Sequence, residues 1–406
     1  MPIVDNGGSP EAHGPSPAQS VTGHAGEVLR AFLVLGVTSF GGPIAHLAYF
    51  RREFVDRRRW LSEEAYAELV AFCQFLPGPT SSQAGFLIGW RRAGLAGALA
   101  AWGAFTLPSA LLLTLAGVFF VQYSPGDGWL AGVLAAVLAV VTQAVLGMSR
   151  SLCPDAPRAS LAAGVAIVAL LSSAMWTPLA ALLLAGVAGA LLLRGGKPAQ
   201  AASEDRLPSL TLAVTCLVLF AACAALAVVA AGLLPAPWGQ LYGICFGAGS
   251  LVFGGGHVVL PLLHDPLVRD GLVSQSAFMA GYGAAQAVPG PLFTVAAWLG
   301  GVAAGLPGAL LALVAIFLPG LLLALGCLRF YHGALAAPWA RRGVMGLNAG
   351  VVGLLGAALW HPIGHEALTG ASSLALALAA FIALESWRLP AWVVVPACGL
   401  MSLLIA

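Results

Sequence analysis

The chain has 406 residues, of which 60% are hydrophobic and 8% are charged, and its net charge is 18 − 16 = +2. Soluble domains carry about 25% charged residues, so this composition excludes a soluble globular protein and indicates an integral membrane protein. The small net charge predicts no nucleic-acid partner. Seven scattered cysteines form no Cys-x-x-Cys pair, so we expect neither a metal site nor a disulfide framework.

The N-terminal residues 1–26 are rich in Gly, Pro, Ser and Ala and lack an apolar core, which predicts a disordered tail and not a signal peptide. An apolar run then leads to the first glycine-rich motif, Ser39-Phe40-Gly41-Gly42-Pro43-Ile44-Ala45-His46. Its small residues allow close approach of the backbone, and packing alone is the alternative explanation. His46 is a titratable group at membrane depth and therefore a functional candidate, although a neutral structural histidine is equally compatible with the sequence.

The motif Gln74-Phe75-Leu76-Pro77-Gly78-Pro79-Thr80-Ser81-Ser82-Gln83 interrupts a second apolar run. Two prolines around a glycine cannot continue a helix, and in lipid such a break is tolerated only inside protein or beside a cavity. A helix that starts near Pro79 presents free N–H groups and the positive end of its dipole, as oxyanion sites do. Its first turn adds neutral donors from Thr80, Ser81, Ser82 and Gln83. In the alternative reading these side chains only satisfy the broken backbone.

Both motifs recur in the second half of the chain in the same order. Phe253-Gly254-Gly255-Gly256-His257 follows the first motif by 213 residues, and Gln286-Ala287-Val288-Pro289-Gly290-Pro291-Leu292-Phe293-Thr294 follows the second by 212. Gly305 follows Gly94, and Pro319 follows Pro108, by 211 residues. These four pairs of matching positions occur in the same order, and their offsets differ by only two residues. They therefore indicate an internal duplication. The second copy keeps Thr294 but has two apolar residues before it, so an asymmetric site is expected.

The distribution of arginines predicts the membrane topology. If both broken runs in the first half are re-entrant hairpins, one side of the membrane carries Arg30, Arg91, Arg92 and the cluster at 51–59. Nine full spans and four hairpins then result, with a cytoplasmic N-terminus and a periplasmic C-terminus. At the end of the first hairpin, Glu53 and Arg57 are expected to form an interfacial ion pair. In the alternative topology each hairpin is a pair of short spans or one full span.

We therefore expect an all-α polytopic membrane protein with two inverted-topology repeats and broken, re-entrant helices. The first repeat covers 27–196, a linker with one extra transmembrane helix covers 197–236, and the second repeat covers 237–406. Inverted repeats place a substrate site near the membrane midplane, between the repeats. The predicted substrate-binding residues come from both: Gly41, Gly42, Pro43, His46, Gln74, Pro77, Gly78, Pro79, Thr80, Ser81, Ser82, Gln83, Gly254, Gly255, Gly256, His257, Gln286, Pro289, Gly290, Pro291 and Thr294.

The motifs around Phe40 and Phe253, the dipeptide Trp60-Leu61 and the two Pro-Gly-Pro segments resemble the chromate ion transporter family in its long two-domain form. The resemblance covers roughly residues 30–400. It implies transport of chromate across the bacterial inner membrane, usually as efflux that gives chromate resistance, with sulfate as the related oxyanion. Gly256 stands where the first half has Pro43, so the two hairpins need not be equivalent.

The residues themselves indicate a secondary transporter for a small oxyanion. The sequence contains no nucleotide-binding loop, no Gly-x-Ser-x-Gly and no His-Glu-x-x-His motif, so we expect no cofactor and no enzyme activity. An oxyanion channel and a sulfate uptake carrier are the alternatives. The expected partners are the oxyanion and the lipid bilayer, and a homodimer is compatible with the sequence.

Overall fold

The computed structural model describes residues 23–123, 127–172, 177–194, 206–253, 256–331 and 337–405. These residues form helices and connecting turns, with no strand among them. Most of the expected N-terminal tail, the start of the linker and the predicted site residues Gly254 and Gly255 lie outside the described residues.

The first repeat consists of seven helices within the described ranges. Two short pairs come first: α1 (Ala25–Thr38) with α2 (Gly42–Arg51), and α3 (Glu63–Phe75) with the start of α4 (Thr80–Tyr123). Next come α5 (Asp127–Leu152), α6 (Ala156–Leu171) and α7 (Thr177–Leu192). The extra helix α8 (Leu210–Leu233) then leads to the second repeat.

The second repeat follows the same order. It contains α9 (Trp238–Leu251), α10 (Val259–Arg269), α11 (Gln275–Ala287) and α12 (Val295–Leu328). The remaining helices are α13 (Pro338–Ala358), the single turn α14 (His365–Ala367), α15 (Ala371–Glu385) and α16 (Ala391–Ile405). Short 3₁₀ turns at Gly256–Val258 and Leu292–Thr294 precede α10 and α12.

Two pairs of corresponding helices begin and end at corresponding residues in the two repeats. The bounds of α9 are those of α1 shifted by 213 residues, and the bounds of α11 are those of α3 shifted by 212. Both α3 and α11 begin after a serine, Ser62 or Ser274, whose side chain accepts a hydrogen bond from the N–H three residues later. The duplication inferred from sequence landmarks therefore extends to helix ends and caps.

The long helices α4 and α12 contain the same internal break. In α4 it lies at Ala93–Gly94, where Gly94 has φ 62° and ψ −151°, and in α12 at Ala304–Gly305, where Gly305 has φ 63° and ψ −156°. This backbone region strongly favours glycine, which explains the glycine at both positions. Each break separates a short helix after the Pro-Gly-Pro motif from a long apolar helix.

The broken segments of the first repeat fold back on themselves. The helices α1, α2 and α3 have 14, 10 and 13 residues, fewer than the roughly 20 needed to cross a bilayer. The Arg92 guanidinium, at the end of the second hairpin, lies 3.0 Å from the Glu27 carboxylate at the start of the first. Arg91 donates to the carbonyl of Ala65 at the start of the second hairpin, at 3.2 Å. Both hairpins therefore open on the same side.

Five helical segments of the described chain are long and apolar enough to cross a membrane: Thr80–Val121, Gly128–Leu152, Leu210–Leu233, Leu292–Leu328 and Pro338–Ala367. Four shorter apolar helices, α6, α7, α15 and α16, accompany them. Together these elements correspond to the nine spans predicted from the sequence. The short helices have 15 or 16 residues each, so they are shorter than typical spans.

The two repeats are interlocked. The pair α6 and α7 packs on α13 of the second repeat, while the pair α15 and α16 packs on α5 of the first. Glycines permit the close contacts, as where Gly346 lies against Gly189 and Gly353 against Ala162. The helices α4 and α12 pack against each other in the centre. Each repeat thus completes its packing with a helix pair from the other.

Candidate functional site

The two Pro-Gly-Pro segments are held by reciprocal hydrogen bonds between the repeats. The Gly78 N–H donates to the Val252 carbonyl at 2.7 Å, and the Gly290 N–H donates to the Ser39 carbonyl at 2.9 Å. Gly78 and Gly290 have φ values of 120° and 106°, which favour glycine. Val252 and Ser39 are corresponding residues, 213 apart, and each directly precedes the phenylalanine of the glycine-rich motif in its own repeat. These two glycine N–H groups are therefore engaged in the fold.

Each Pro-Gly-Pro tip also rests on the long helix of the opposite repeat. A Cβ atom on Gly78 would lie 2.9 Å from the Gly320 Cα, and one on Gly290 would lie 2.7 Å from the Ser109 Oγ. Gly320 and Ser109 correspond at an offset of 211. A Cβ on Gly256 would be 3.4 Å from the ring of Pro43, which brings the two glycine-rich tips together as well.

The first turn of α4 lies at this meeting point. All four of its predicted polar residues are buried: Thr80, Ser81, Ser82 and Gln83. The Gln83 side-chain amide donates to the Pro77 carbonyl at 2.8 Å and to the Gly320 carbonyl at 3.1 Å. Gln83 therefore supports the broken backbone, which is the structural alternative raised by the sequence. The first N–H groups of any helix lack intrahelical acceptors, so this end carries partial positive charge.

His46 is fully buried beside the same turn. Its Nδ1 lies 3.3 Å from the Ser81 Oγ, and its ring packs edge-on against Phe105 with ring centres 5.2 Å apart. Its Nε2 finds no hydrogen-bond partner among the residues that the structure describes. When Nδ1 accepts from the Ser81 hydroxyl, Nε2 carries the proton and can act as a donor.

Three further buried hydroxyls are unpartnered within the described part of the chain: those of Ser39, Ser82 and Thr106. Ser39 and Thr106 were not among the residues predicted from the sequence. Thr106 shares a face of α4 with Ser109, whose hydroxyl donates to the Thr106 carbonyl at 3.1 Å. Aligning the two repeats residue by residue would have pointed to both. Ser39 corresponds to the apolar Val252, and Thr106 corresponds to the apolar Phe317.

The predicted polar residues of the second repeat are paired instead. His257 Nδ1 lies 2.7 Å from the Tyr282 hydroxyl and 3.3 Å from the Gln286 amide nitrogen. The Thr294 hydroxyl donates to the Pro291 carbonyl at 2.7 Å. By the offset of 213, His46 corresponds to Val259, so the two histidines are not equivalent residues.

The remaining predicted residues lie around this centre or at its edge. Gly41 and Gly42 line a small cavity with Gln286, Gly290 and Trp392. Gln74, the counterpart of Gln286, has an exposed side chain. Pro79 lies close to Gly320, whereas Pro77 and Pro289 are half-buried and Pro291 is buried. No group of three or more His, Cys, Asp or Glu residues that could hold a metal is found in the described chain.

Two interlocked repeats, re-entrant hairpins that meet tip to tip and polar groups buried at that junction define a multi-pass membrane transporter of the inverted-repeat class. The sequence model of the family described as "Chromate transporter" matches residues 26–190 and again residues 239–403. The chain belongs to this family. The second matched range begins 213 residues after the first, which is also the offset between α1 and α9.

Three relatives are named for chromate transport. A "Chromate transport protein" of Pseudomonas aeruginosa is 30% identical, over 86% of this chain and 85% of the relative. A "Probable chromate transport protein" of Synechococcus elongatus is 28% identical, over 89% of this chain and 90% of the relative. A "Chromate transport protein" of Cupriavidus metallidurans is 28% identical, over 72% of this chain and 71% of the relative. No solved structure matches the chain.

Proposed function

We propose that this chain is a secondary transporter that exports chromate across the bacterial plasma membrane and thereby confers chromate resistance. Family membership and the names of the relatives support chromate as the substrate class. Chromate and sulfate are tetrahedral dianions of similar size, so the same donors suit sulfate as a competing substrate. The anion is bound at the junction of the Pro-Gly-Pro tips, near the middle of the membrane.

The observation that carries this proposal is the set of unpartnered donors at the start of α4. Ser82 and His46 are buried, and each retains a hydrogen-bonding atom without a partner in the described chain. They lie where a helix N-terminus contributes positive potential, the arrangement by which proteins bind oxyanions. A buried polar atom without a partner is unfavourable, so a ligand that accepts these hydrogen bonds supplies the missing interaction.

The reciprocal contacts of the tips favour a carrier over an open channel. The bonds from Gly78 to Val252 and from Gly290 to Ser39 join the hairpin tips in two pairs, and the approach of Gly256 to Pro43 brings the pairs together. A carrier with a site closed between two such tips is exposed to one side at a time. A channel would instead require a continuous polar path past them.

The orientation is proposed from the basic residues. At the end proposed to be cytoplasmic, Arg92 pairs with Glu27, and the ring of Trp90 donates to the Arg206 carbonyl at 2.6 Å. Arg342 donates to the Leu193 carbonyl at 3.4 Å. Arginines on this side agree with the positive-inside tendency and a cytoplasmic N-terminus.

Flux of labelled chromate into proteoliposomes containing the purified protein tests this proposal. We expect saturable uptake that unlabelled sulfate inhibits, and faster counterflow when chromate is preloaded. Uptake that rises linearly with concentration and shows no counterflow would support the channel. Saturable sulfate uptake that chromate does not inhibit would support the sulfate carrier.

A further inference from the structure

We infer that the first repeat alone supplies the side-chain donors of the oxyanion site at the junction of the tips, and that Ser39 and Thr106, together with Ser82, are its hydroxyl donors. This inference rests on the proposed function and deepens it. It assigns two residues, Ser39 and Thr106, that the Pro-Gly-Pro motifs do not contain.

Seven buried polar residues of the first repeat mark the site. At the offsets of the duplication, the corresponding residues of the second repeat are all without a polar side chain. The pairs are Ser39 and Val252, His46 and Val259, Thr80 and Leu292, Ser81 and Phe293, Gln83 and Val295, Thr106 and Phe317, and Ser109 and Gly320.

The second repeat forms the same tip without these side chains. Gly290 has the same left-handed backbone as Gly78, and its N–H makes the equivalent hydrogen bond. Polar side chains are therefore not required to build a Pro-Gly-Pro tip. Ser82 alone keeps a polar counterpart, Thr294, and the Thr294 hydroxyl is already bonded to a backbone carbonyl.

Direct contacts bring several of the polar residues, or their neighbours in the chain, together around the tips. The Ser39 carbonyl accepts from the Gly290 N–H at 2.9 Å, and Gly290 lies against Ser109. On the neighbouring turn of α4, Phe105 packs on His46, and His46 Nδ1 lies 3.3 Å from the Ser81 Oγ. Thr106 and Ser82 directly follow Phe105 and Ser81 in the chain.

The chemistry of this set suits a tetrahedral dianion. A hydroxyl donates one hydrogen bond, and His46 Nε2 donates another when the ring is neutral and Nδ1 accepts. An oxyanion offers four oxygen acceptors. Neutral donors and a helix end bind such an anion without burying a fixed positive charge at membrane depth.

Equilibrium binding of chromate to the purified protein in detergent tests the inference. We expect Ser39→Ala and Thr106→Val each to weaken binding at least tenfold, and Thr106→Ser, which keeps the hydroxyl, to remain within threefold of wild type. Thr114→Val is the matched control, because Thr114 is also buried on α4 but lies about two turns beyond Thr106. This control should change binding less than twofold.

The outcomes separate this inference from the proposed function. Wild-type protein that binds chromate, with Ser39→Ala and Thr106→Val binding equally well, would overturn the inference and leave the proposed function standing. Wild-type protein that binds neither chromate nor sulfate would contradict both. Gel filtration of each variant shows whether it is folded, and Thr106→Ser decides the result if Thr106→Val aggregates.

The faces of α3 and α11 carry a second, independent inference. Although the two helices correspond, α11 packs against α5 and α16, whereas α3 packs on α4 and α2 and makes no comparable contact with α13 or α7 in the described chain. On α11, Met279 and Gly283 are buried, and a Cβ on Gly283 would meet the Val133 and Val137 side chains. Their counterparts on α3, Ala67 and Ala71, are exposed.

We propose that in the opposite transport state α3 closes on α13 and α7 while α11 separates from α5 and α16. The argument is the symmetry of the fold: α13 corresponds to α5 and α7 to α16. Exchange of the two repeats' conformations converts a structure closed along α11 into one closed along α3. The exposed alanines leave room for that close approach.

Disulfide cross-linking in membranes tests this closure, with the native cysteines replaced. Ala71→Cys with Val344→Cys reports closure of α3, since Val344 corresponds to Val133. Ala280→Cys with Val133→Cys reports closure of α11, since both residues line one cavity. We expect each pair to cross-link, and a prior cross-link of one to reduce the other at least fivefold. Absence of the first cross-link, or formation of both in one molecule, would overturn the proposal whatever the substrate is.

Discussion

The two repeats share a backbone but differ in the side chains that they bury at their tips. Both place a glycine in the left-handed region between two prolines, and both donate its N–H to the opposite repeat. The first repeat surrounds its tip with hydroxyls and a histidine, whereas the second uses mostly valine, leucine and phenylalanine. The backbone break therefore belongs to the fold of both repeats, whereas the buried polar side chains without a partner in the described chain belong to the first repeat.

The largest effect is expected from the shared part of the two tips. Gly78→Ala and Gly290→Ala each place a side chain at a strained φ, which costs about 1–3 kcal/mol. The overlap of the new Cβ atom with a close neighbour adds to this loss. Thermal unfolding in detergent should show similar losses for both variants. Gly103→Ala is the control, because a Cβ there meets nothing within 4 Å. A large loss of thermal stability for only one of the two variants would show that the two tips do not contribute equally to the fold.

A smaller effect is expected where the repeats differ in supporting the break. Gln83→Met removes the donor to the Pro77 and Gly320 carbonyls and should cost about 1–3 kcal/mol of stability. The corresponding residue, Val295, gives the second tip no such support. Gln240→Met on α9 is the control, since Gln240 is half-buried and no hydrogen bond is described for it. Equal thermal stability of the Gln83→Met protein and wild type would show that the amide does not hold the tip.

The smallest effect is expected at the end of the first hairpin. Burial of Glu53 opposes its ionisation, but hydrogen bonds from Arg58 and Arg57 outweigh burial and hold its pKa below the ordinary value. Ionised Glu53 therefore stabilises the fold at neutral pH, and this contribution is lost as the pH falls through its lowered pKa. Glu53→Gln should cost about 1 kcal/mol at pH 7 and nothing at strongly acidic pH.

Thermal unfolding of the Glu53→Gln protein across this pH range measures the effect. Glu64→Gln is the control, because Glu64 is exposed and no ion pair is described for it. A difference from wild type that persists unchanged at acidic pH would contradict an ionic origin.

Much of the fold could be predicted from the sequence because its signals are local. The glycines and prolines mark the breaks, and the arginines mark one side of the membrane. The exchange of helix pairs between the repeats could not be predicted, because it depends on packing between apolar helices with no polar pattern. Ser39 and Thr106 were missed because single hydroxyls in apolar runs do not show which face is buried.

Chromate flux into proteoliposomes, measured against concentration, tests most directly whether the first repeat alone binds the anion. We expect Ser81→Ala with Ser82→Ala to raise the half-saturating chromate concentration at least tenfold, about 1.4 kcal/mol of binding free energy. Thr294→Val, the corresponding change in the second repeat, should shift it less than threefold. Equal shifts in both variants, or a larger shift for Thr294→Val, would contradict a site confined to the first repeat.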